Sequence, residues 1–135
     1  MGRKAILSVF YFSILVLSSC VSQASYADSP IEGVEDETIA VLFSDINSVA
    51  VENDYYNALL ELQQQQPEHF PAIHFVDTDD KKAIEYYNVK QFPTMLVLNG
   101  DDVSLRLEGA YSKEEIFQML KNTLEIAGKT APMNG

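Results

Sequence analysis

Three short apolar runs, separated by stretches of mixed character, restrict the possible folds of this chain most strongly. They are residues 38–44 (TIAVLFS), 72–76 (AIHFV) and 94–98 (TMLVL). Nearly continuous runs of β-preferring residues are typical of strands that are buried on both faces of a sheet. A fourth segment, 103–108, alternates apolar with polar residues and predicts a half-exposed edge strand. The sequence therefore predicts an α/β fold in which helices cover a sheet.

Two helices are predicted between these runs. Residues 45–53 lead from the first strand into a helix that continues to Gln66, because apolar residues recur about every four positions and prolines follow. The acidic segment 77–80 can cap a second, short helix over 81–88. Strands that are joined through a helix can pair in parallel, because the crossover returns the chain to the starting end of the sheet.

The last part of the chain predicts a hairpin and a capped helix. The dipeptide Asn99-Gly100 tolerates the positive φ of a tight turn between the third and fourth strands. Ser112 and Glu115 have the spacing of a capping box, and Gly128 is expected to end the helix that they open. The predicted order is β-α-β-α-β-β-α, with a mixed four-stranded sheet flanked by helices.

The N-terminus has the pattern of an export signal. Residues 1–4 are basic and residues 5–17 are apolar, but this run is short for a bilayer-spanning helix. Leu17-Ser18-Ser19-Cys20 follows and resembles the lipobox of bacterial lipoproteins, which implies that residues 1–19 are cleaved before a lipidated Cys20. The alternatives are a conventional cleavage after Ala27, which would discard that cysteine, and a retained membrane anchor.

These features divide the chain into four segments, of which the signal peptide is the first. Residues 20–37 are expected to form a flexible acidic tether, residues 38–128 the folded domain and residues 129–135 a disordered tail. The expected location is the periplasm, with a lipid anchor in the outer membrane, because Val21 stands where an aspartate often retains lipoproteins at the inner membrane. Cleavage after Ala27 would give a soluble periplasmic or secreted protein instead.

The charge of the chain limits its partners. It has 20 aspartates and glutamates against 9 lysines and arginines, and its formal net charge is −11. Such a surface repels phosphate backbones, so nucleic acid is not expected as a partner, and membrane contact is expected only through the lipid. The acidic segments 77–80 and 101–102 lack the glycine and glutamate spacing of a calcium loop, so neither a metal site nor a cofactor is predicted.

The second half of the chain resembles a known family. The sequences YNVKQFPT (87–94), Asn99-Gly100 and EGAYSK (108–113), together with the element order, resemble the thioredoxin family over about residues 38–127. In that family a cis proline begins a central strand beside the active-site loop and presents backbone to a bound polypeptide, and a glycine lies near it. The resemblance implies a thioredoxin-like fold and a binding groove formed by Ser48, Val51, Phe92, Pro93, Thr94 and Gly109.

The cysteines that carry catalysis in that family are missing. Redox members use two cysteines separated by two residues at the start of the helix after the first buried strand. Here Cys20 is the only cysteine, and Ser48 and Val51 fall at the two positions. The same alignment puts Leu42 and Ile73 where redox-active members have a buried aspartate and a buried lysine. The resemblance therefore implies a redox-inactive member without catalytic residues.

The expected function is non-catalytic binding of a protein or peptide in the periplasm. Two alternatives are a thiol-disulfide oxidoreductase-related protein that acts with a partner's cysteine, and an acidic cation-binding structural protein. A nucleophilic role for Ser48 is not expected, because His69 lies between prolines and His74 lies within an apolar strand. Ser48 or Asn47 is expected to cap the helix instead.

Overall fold

The computed structural model describes residues 29–34 and 37–130. The signal peptide, Cys20 and Ala27 lie outside these residues, as do positions 131–135 of the expected tail. No helix of the described part is both long enough and apolar enough to cross a bilayer. The strands are β1 (Thr38–Ser44), β2 (Ala72–Asp77), β3 (Thr94–Asn99) and β4 (Asp102–Glu108), and the helices are α1 (Val49–Gln65), α2 (Lys81–Tyr86) and α3 (Lys113–Thr130).

The four strands form one mixed sheet in the order β2-β1-β3-β4. Strand β1 pairs in parallel with β2 and antiparallel with β3, and β3 pairs antiparallel with β4. The predicted α/β class and the mixed four-stranded sheet flanked by helices are confirmed. The β3–β4 hairpin has a loop of two residues, and the positive φ of 60° belongs to Gly100.

The prediction that β2 is buried on both faces is wrong. Of its six residues only Val76 is buried, and the side chain of Phe75 is 59% exposed. The reason is the position of β2 at one edge of the sheet, where no helix covers it as fully as the central strands. Strand β4 forms the other edge, and its predicted half-exposed character is confirmed, with Leu107 buried and Val103 exposed.

The core has two parts, one on each face of the sheet. Helices α1 and α3 cover one face, where Tyr55, Leu62 and Leu120 are among the buried residues. Helix α2 covers the other face together with residues 29–34, of which Ile31 is 7% exposed and Val34 is 1% exposed.

The buried residues at 31 and 34 correct the predicted tether. Burial of a side chain of this size contributes about 2 kcal/mol, so residues 29–34 are part of the folded domain. The domain therefore begins before residue 38, and the expected tether of residues 20–37 does not extend through residues 29–34.

Two helix ends also differ from the prediction. Helix α2 ends at Tyr86 rather than at residue 88, because Asn88 adopts the left-handed conformation with φ of 54°, which terminates helices. Helix α3 passes through Gly128 to Thr130, so the domain and the helix extend beyond the predicted end at 128. Gly128 does not have a positive φ and hence does not act as a helix cap.

Two predicted caps are confirmed at atomic detail. The Ser112 N–H donates to Glu115 Oε2 at 2.9 Å, and the Glu115 N–H donates to Ser112 Oγ at 3.2 Å, which is the reciprocal pattern of a capping box. At the start of α2, the Ala83 N–H donates to Asp80 Oδ1 at 3.1 Å. These caps depend on neighbours in the sequence and therefore could be predicted from it.

Candidate functional site

Three segments meet at one end of the central strands, where β1 ends and β3 begins. Phe43 pairs with Thr94, and Thr94 pairs with Glu108 on its other side. The turn Asp45–Ser48 follows β1 and therefore lies at this same end of the sheet. Phe92-Pro93, which precedes β3, and Gly109, which follows β4, lie there too. The resemblance places the binding groove at this end of the strands. We call the region formed by the turn Asp45–Ser48, Phe92-Pro93 and Gly109 the proline edge.

The peptide bond between Phe92 and Pro93 is cis, as the resemblance implied. The Pro93 carbonyl accepts a hydrogen bond from the Gly109 N–H at 2.8 Å, and the Thr94 hydroxyl donates to the Gln91 carbonyl at 2.7 Å. The side chains of Pro93 and Thr94 are both buried. Neither side chain is therefore open to a ligand at this edge.

The backbone groups of Phe92, unlike the neighbouring side chains of Pro93 and Thr94, are available for hydrogen bonding. Its N–H and C=O have no hydrogen-bond partner within residues 29–34 and 37–130. Its side chain is half-buried and packs against the core on the α2 face. Backbone groups outside a ladder can pair with an extended chain, in the way that a strand extends a sheet. Phe92 thus offers main-chain groups rather than a side chain.

Gly109 has a conformational role. Its φ is 80°, a backbone angle that residues with a Cβ rarely adopt. A Cβ at this position would meet the Gln91 amide oxygen at 3.3 Å, at the flexible end of that side chain. The glycine is required by its backbone angle.

Tyr55 ties α1 to this edge. Its hydroxyl donates to the Gly109 carbonyl at 2.5 Å, and the residue is 0% exposed. Burial, with a smaller contribution from Tyr111, raises the pKa of Tyr55 well above its ordinary value. The hydroxyl consequently stays neutral and remains a donor through the physiological pH range. The sequence placed Tyr55 on the buried stripe of the helix, but nothing in the sequence indicated its bond to residue 109.

Ser48 and Val51 lie in different surroundings. Ser48 ends the 3₁₀ turn before α1, is half-exposed and makes no capping hydrogen bond. Asp45 caps this turn by accepting from the Asn47 N–H at 3.0 Å, so the predicted capping by Ser48 or Asn47 is wrong. Val51 is partly buried against the α1 core. Of these two groove candidates, Ser48 has the side chain that is free to contact a ligand.

Glu52 is a buried carboxylate that the sequence analysis missed. It is 2% exposed, and its two oxygens accept from the Ser44 hydroxyl at 3.0 and 2.9 Å. Its Oε1 also accepts from the Asp45 N–H at 3.0 Å, and the Tyr56 hydroxyl lies 3.4 Å from Oε2. Glu52 therefore fixes the end of β1 to the start of α1. A signal was present, because Glu52 precedes Tyr55 by three residues on the buried helical stripe.

The two positions that the family resemblance aligns with the aspartate and the lysine of redox members are apolar and lie in the core. Leu42 is 0% exposed, and Ile73 packs against the same part of the core, on the α1 face. Strand register places Ile73 opposite Ala40, two residues before Leu42. At these two positions the interior is therefore apolar.

A second feature adjoins this site at the C-terminal ends of the parallel strands β1 and β2. An open cavity of about 550 Å³ is lined there by Ser44, Ile46, Tyr56, Phe75, Val76, Asp77, Thr78 and Asp79. We call it the strand-end cleft. The sequence does not indicate this cleft, because the run that contains Phe75 has the pattern of a buried strand.

Comparison with curated proteins identifies one relative by sequence. The chain is 32% identical over 88 residues to the Pal-related lipoprotein of Bacillus subtilis strain 168. The match covers 64% of this chain and 68% of the relative. No family model matches the sequence.

Comparison with solved structures identifies thioredoxins. Thioredoxin-2 of the malaria parasite, a component of its protein secretion machinery, superimposes with a TM-score of 0.52 at 18% identity and covers 64% of this chain and 82% of its own. The germline-specific thioredoxin Deadhead of Drosophila melanogaster gives a TM-score of 0.54 at 17% identity, with 67% and 85% covered. At these identities the likeness shows the thioredoxin fold.

Proposed function

This chain belongs to the family of the Pal-related lipoprotein of Bacillus subtilis, and we propose that it is a non-catalytic thioredoxin-fold module that holds an extended polypeptide. The polypeptide binds at the proline edge, between the turn Asp45–Ser48 and Phe92. Main-chain hydrogen bonds supply the affinity, and no covalent step is involved.

The free backbone groups of Phe92 carry this proposal. Within the described residues, their N–H and C=O have no partner, and they lie beside the buried Pro93 at the start of β3. An extended segment can pair with such groups as an added strand. The half-exposed Ser48, whose side chain makes no hydrogen bond among the described residues, lies at the same edge and can contact the side chains of the segment.

The absence of cysteine chemistry is part of the proposal. Thiol-disulfide exchange needs an attacking thiolate and a resolving thiol. The only cysteine in the sequence is Cys20, which precedes the domain, while Ser48 and Val51 stand at the positions of the pair. The oxidoreductase alternative would need a thiol from another protein.

Binding to an unfolded chain tests the proposal directly. The labelled probe is reduced and alkylated lysozyme, which is basic, unfolded and without free thiols. We expect micromolar binding to the full chain and at least about fivefold weaker binding to Ser48→Tyr, since a bulky ring at the proline edge obstructs an added strand. Ser104→Tyr is the matched control, because Ser104 is exposed on β4 away from this edge.

Equal binding by wild type and Ser48→Tyr would contradict the proposed groove. An insulin-reduction assay on the same preparation separates the oxidoreductase alternative. Turnover above the uncatalysed rate would contradict the non-catalytic function.

The name of the relative supports a lipid anchor, and we place the anchor at Cys20. Residues 20–28 would then join the lipid to the domain, which begins at or before residue 29. Nine residues can span at most about 30 Å, so the domain would stay close to the membrane surface. The outer membrane facing the periplasm is the proposed location, and cleavage after Ala27 is the competing possibility.

Metabolic labelling with radioactive palmitate distinguishes these possibilities. We expect label in the wild-type protein and loss of the label in Cys20→Ala, because the thioether can form only on that thiol. Ser19→Ala, which retains a small residue before the cysteine, is the control and should keep the label. An unlabelled wild-type protein would contradict the anchor and favour cleavage after Ala27.

A further inference from the structure

The strand-end cleft has a mixed apolar and acidic lining, and the groove leaves it unused. Ile46 is 86% exposed and Phe75 is 59% exposed, and both line it. The ring of Tyr56 lies 5.9 Å from the ring of Phe75 and forms the wall on the α1 side. Large apolar side chains that share one exposed cavity are typical of surfaces that bind another molecule.

The strand-end cleft adjoins the proline edge. Both lie where β1 ends, beside the turn Asp45–Ser48, of which Ile46 lines the cleft and Ser48 does not. Beyond the cleft, β2 is an edge strand whose outer side has no neighbour among the described strands. An extended chain that pairs at Phe92 can therefore place a neighbouring residue across the turn.

The charged side chains that line the cleft are acidic. Asp77 and Asp79 line it as exposed carboxylates, and among the described residues that line it there is no lysine, arginine or histidine. A cation also lies near the cleft, because the Lys81 ammonium donates to the Thr78 carbonyl at 2.7 Å. One cation against two lining carboxylates leaves the rim negative, which favours a positively charged occupant.

We propose that the polypeptide held at the proline edge places a bulky apolar residue, next to a lysine or arginine, in the strand-end cleft. The apolar side chain packs against Phe75 and Ile46, and the cation pairs with Asp77 and Asp79. This inference rests on the proposed function, because it names the class of polypeptide that the groove selects.

Three fluorescent decapeptides test the selection against the full chain in phosphatidylcholine nanodiscs, with empty nanodiscs as the blank. GSTLKLKTSG carries apolar and basic residues, GSTLELETSG replaces the cations with glutamate, and GSTSKSKTSG replaces the leucines with serine. We expect the first to bind at least about tenfold more tightly than the others, and we expect this preference to fall as salt is raised from 50 to about 300 mM.

Variants assign the preference to the cleft. Phe75→Ser and Asp79→Asn should each reduce the affinity for GSTLKLKTSG by about fivefold or more, because each removes one component of the surface. Leu60→Ser and Asp102→Asn are the matched controls, since Leu60 is also an exposed apolar residue (54%) and Asp102 is also an exposed aspartate, both outside the cleft lining.

The outcomes separate this inference from the proposed function. Equal binding of the three peptides, still weakened by Ser48→Tyr, would overturn the cleft and leave the groove standing. A preference that depends on Phe75 but is insensitive to Ser48→Tyr would support the cleft and contradict the groove. No binding of any peptide to the wild type would overturn both.

Discussion

Leu42→Asp is expected to destabilise the domain by at least about 4 kcal/mol, a large part of the 5–15 kcal/mol that usually stabilises a domain. Leu42 is 0% exposed and lies among apolar side chains of the α1 face. The family resemblance aligns Leu42 with the buried aspartate of redox members and Ile73 with the lysine that partners it, so no cation is expected beside position 42. A carboxylate at position 42 would therefore be buried without a cation.

The neutral variant Leu42→Asn isolates the charge, because asparagine has nearly the same shape as aspartate. Burial would raise the pKa of the new carboxyl above its unfolded value, so the folded state would bind the proton more tightly. The stability of Leu42→Asp should then fall as pH rises, and its deficit relative to Leu42→Asn should shrink as pH is lowered. Thermal unfolding followed by circular dichroism measures both.

A Leu42→Asp protein that is as stable as wild type at neutral pH would contradict this account. It would mean that the interior beside α1 can hydrate or pair a charge, and it would count against the proposed non-catalytic function.

Glu52→Ala is expected to destabilise the domain by about 2–4 kcal/mol, because hydrogen bonds to a charged acceptor contribute more than neutral ones and their donors would lose it. The donors are the Ser44 hydroxyl and the Asp45 N–H, both at about 3.0 Å from the carboxylate. Glu52 is almost fully buried, so water cannot simply replace it at that position. Chemical denaturation gives the magnitude.

Amide hydrogen exchange gives a second measurement for the same variant. We expect faster exchange at Asp45 and in the turn to Ser48, because Glu52 fixes this connection. Glu52→Gln should fall between wild type and alanine, since its amide oxygen can keep one of the bonds. Glu125→Ala removes an exposed glutamate of α3 and is the control, with a change within about 0.5 kcal/mol. Unchanged stability and exchange in Glu52→Ala would remove Glu52 from the support of the site.

Features that depend on near neighbours in the chain could be predicted from the sequence. The strand bounds at Thr38–Ser44 and the capping box of Ser112 and Glu115 depend on residues a few positions apart, and both are confirmed. The cis bond before Pro93 was implied by the family resemblance. The groove formed by the candidate residues was not tested by the structure and stays a proposal.

Features that depend on packing between distant parts of the chain could not be predicted from the sequence. The run AIHFV reads the same for a central strand and for an edge strand, and the sheet order alone makes Phe75 exposed. Ile31 and Val34 lie in an acidic segment without periodicity, and only the uncovered sheet face shows why they are buried.

By itself, the sequence determined the order of the elements, the acidic surface and the lack of any cysteine after Cys20, because each follows from composition or local spacing. Only the tertiary structure decided that Glu52 and Tyr55 support the proline edge and that a cleft with both apolar and acidic side chains opens beside it. The physical reason is that these contacts join residues from different elements, and their formation depends on which strands become neighbours and which faces the helices leave open.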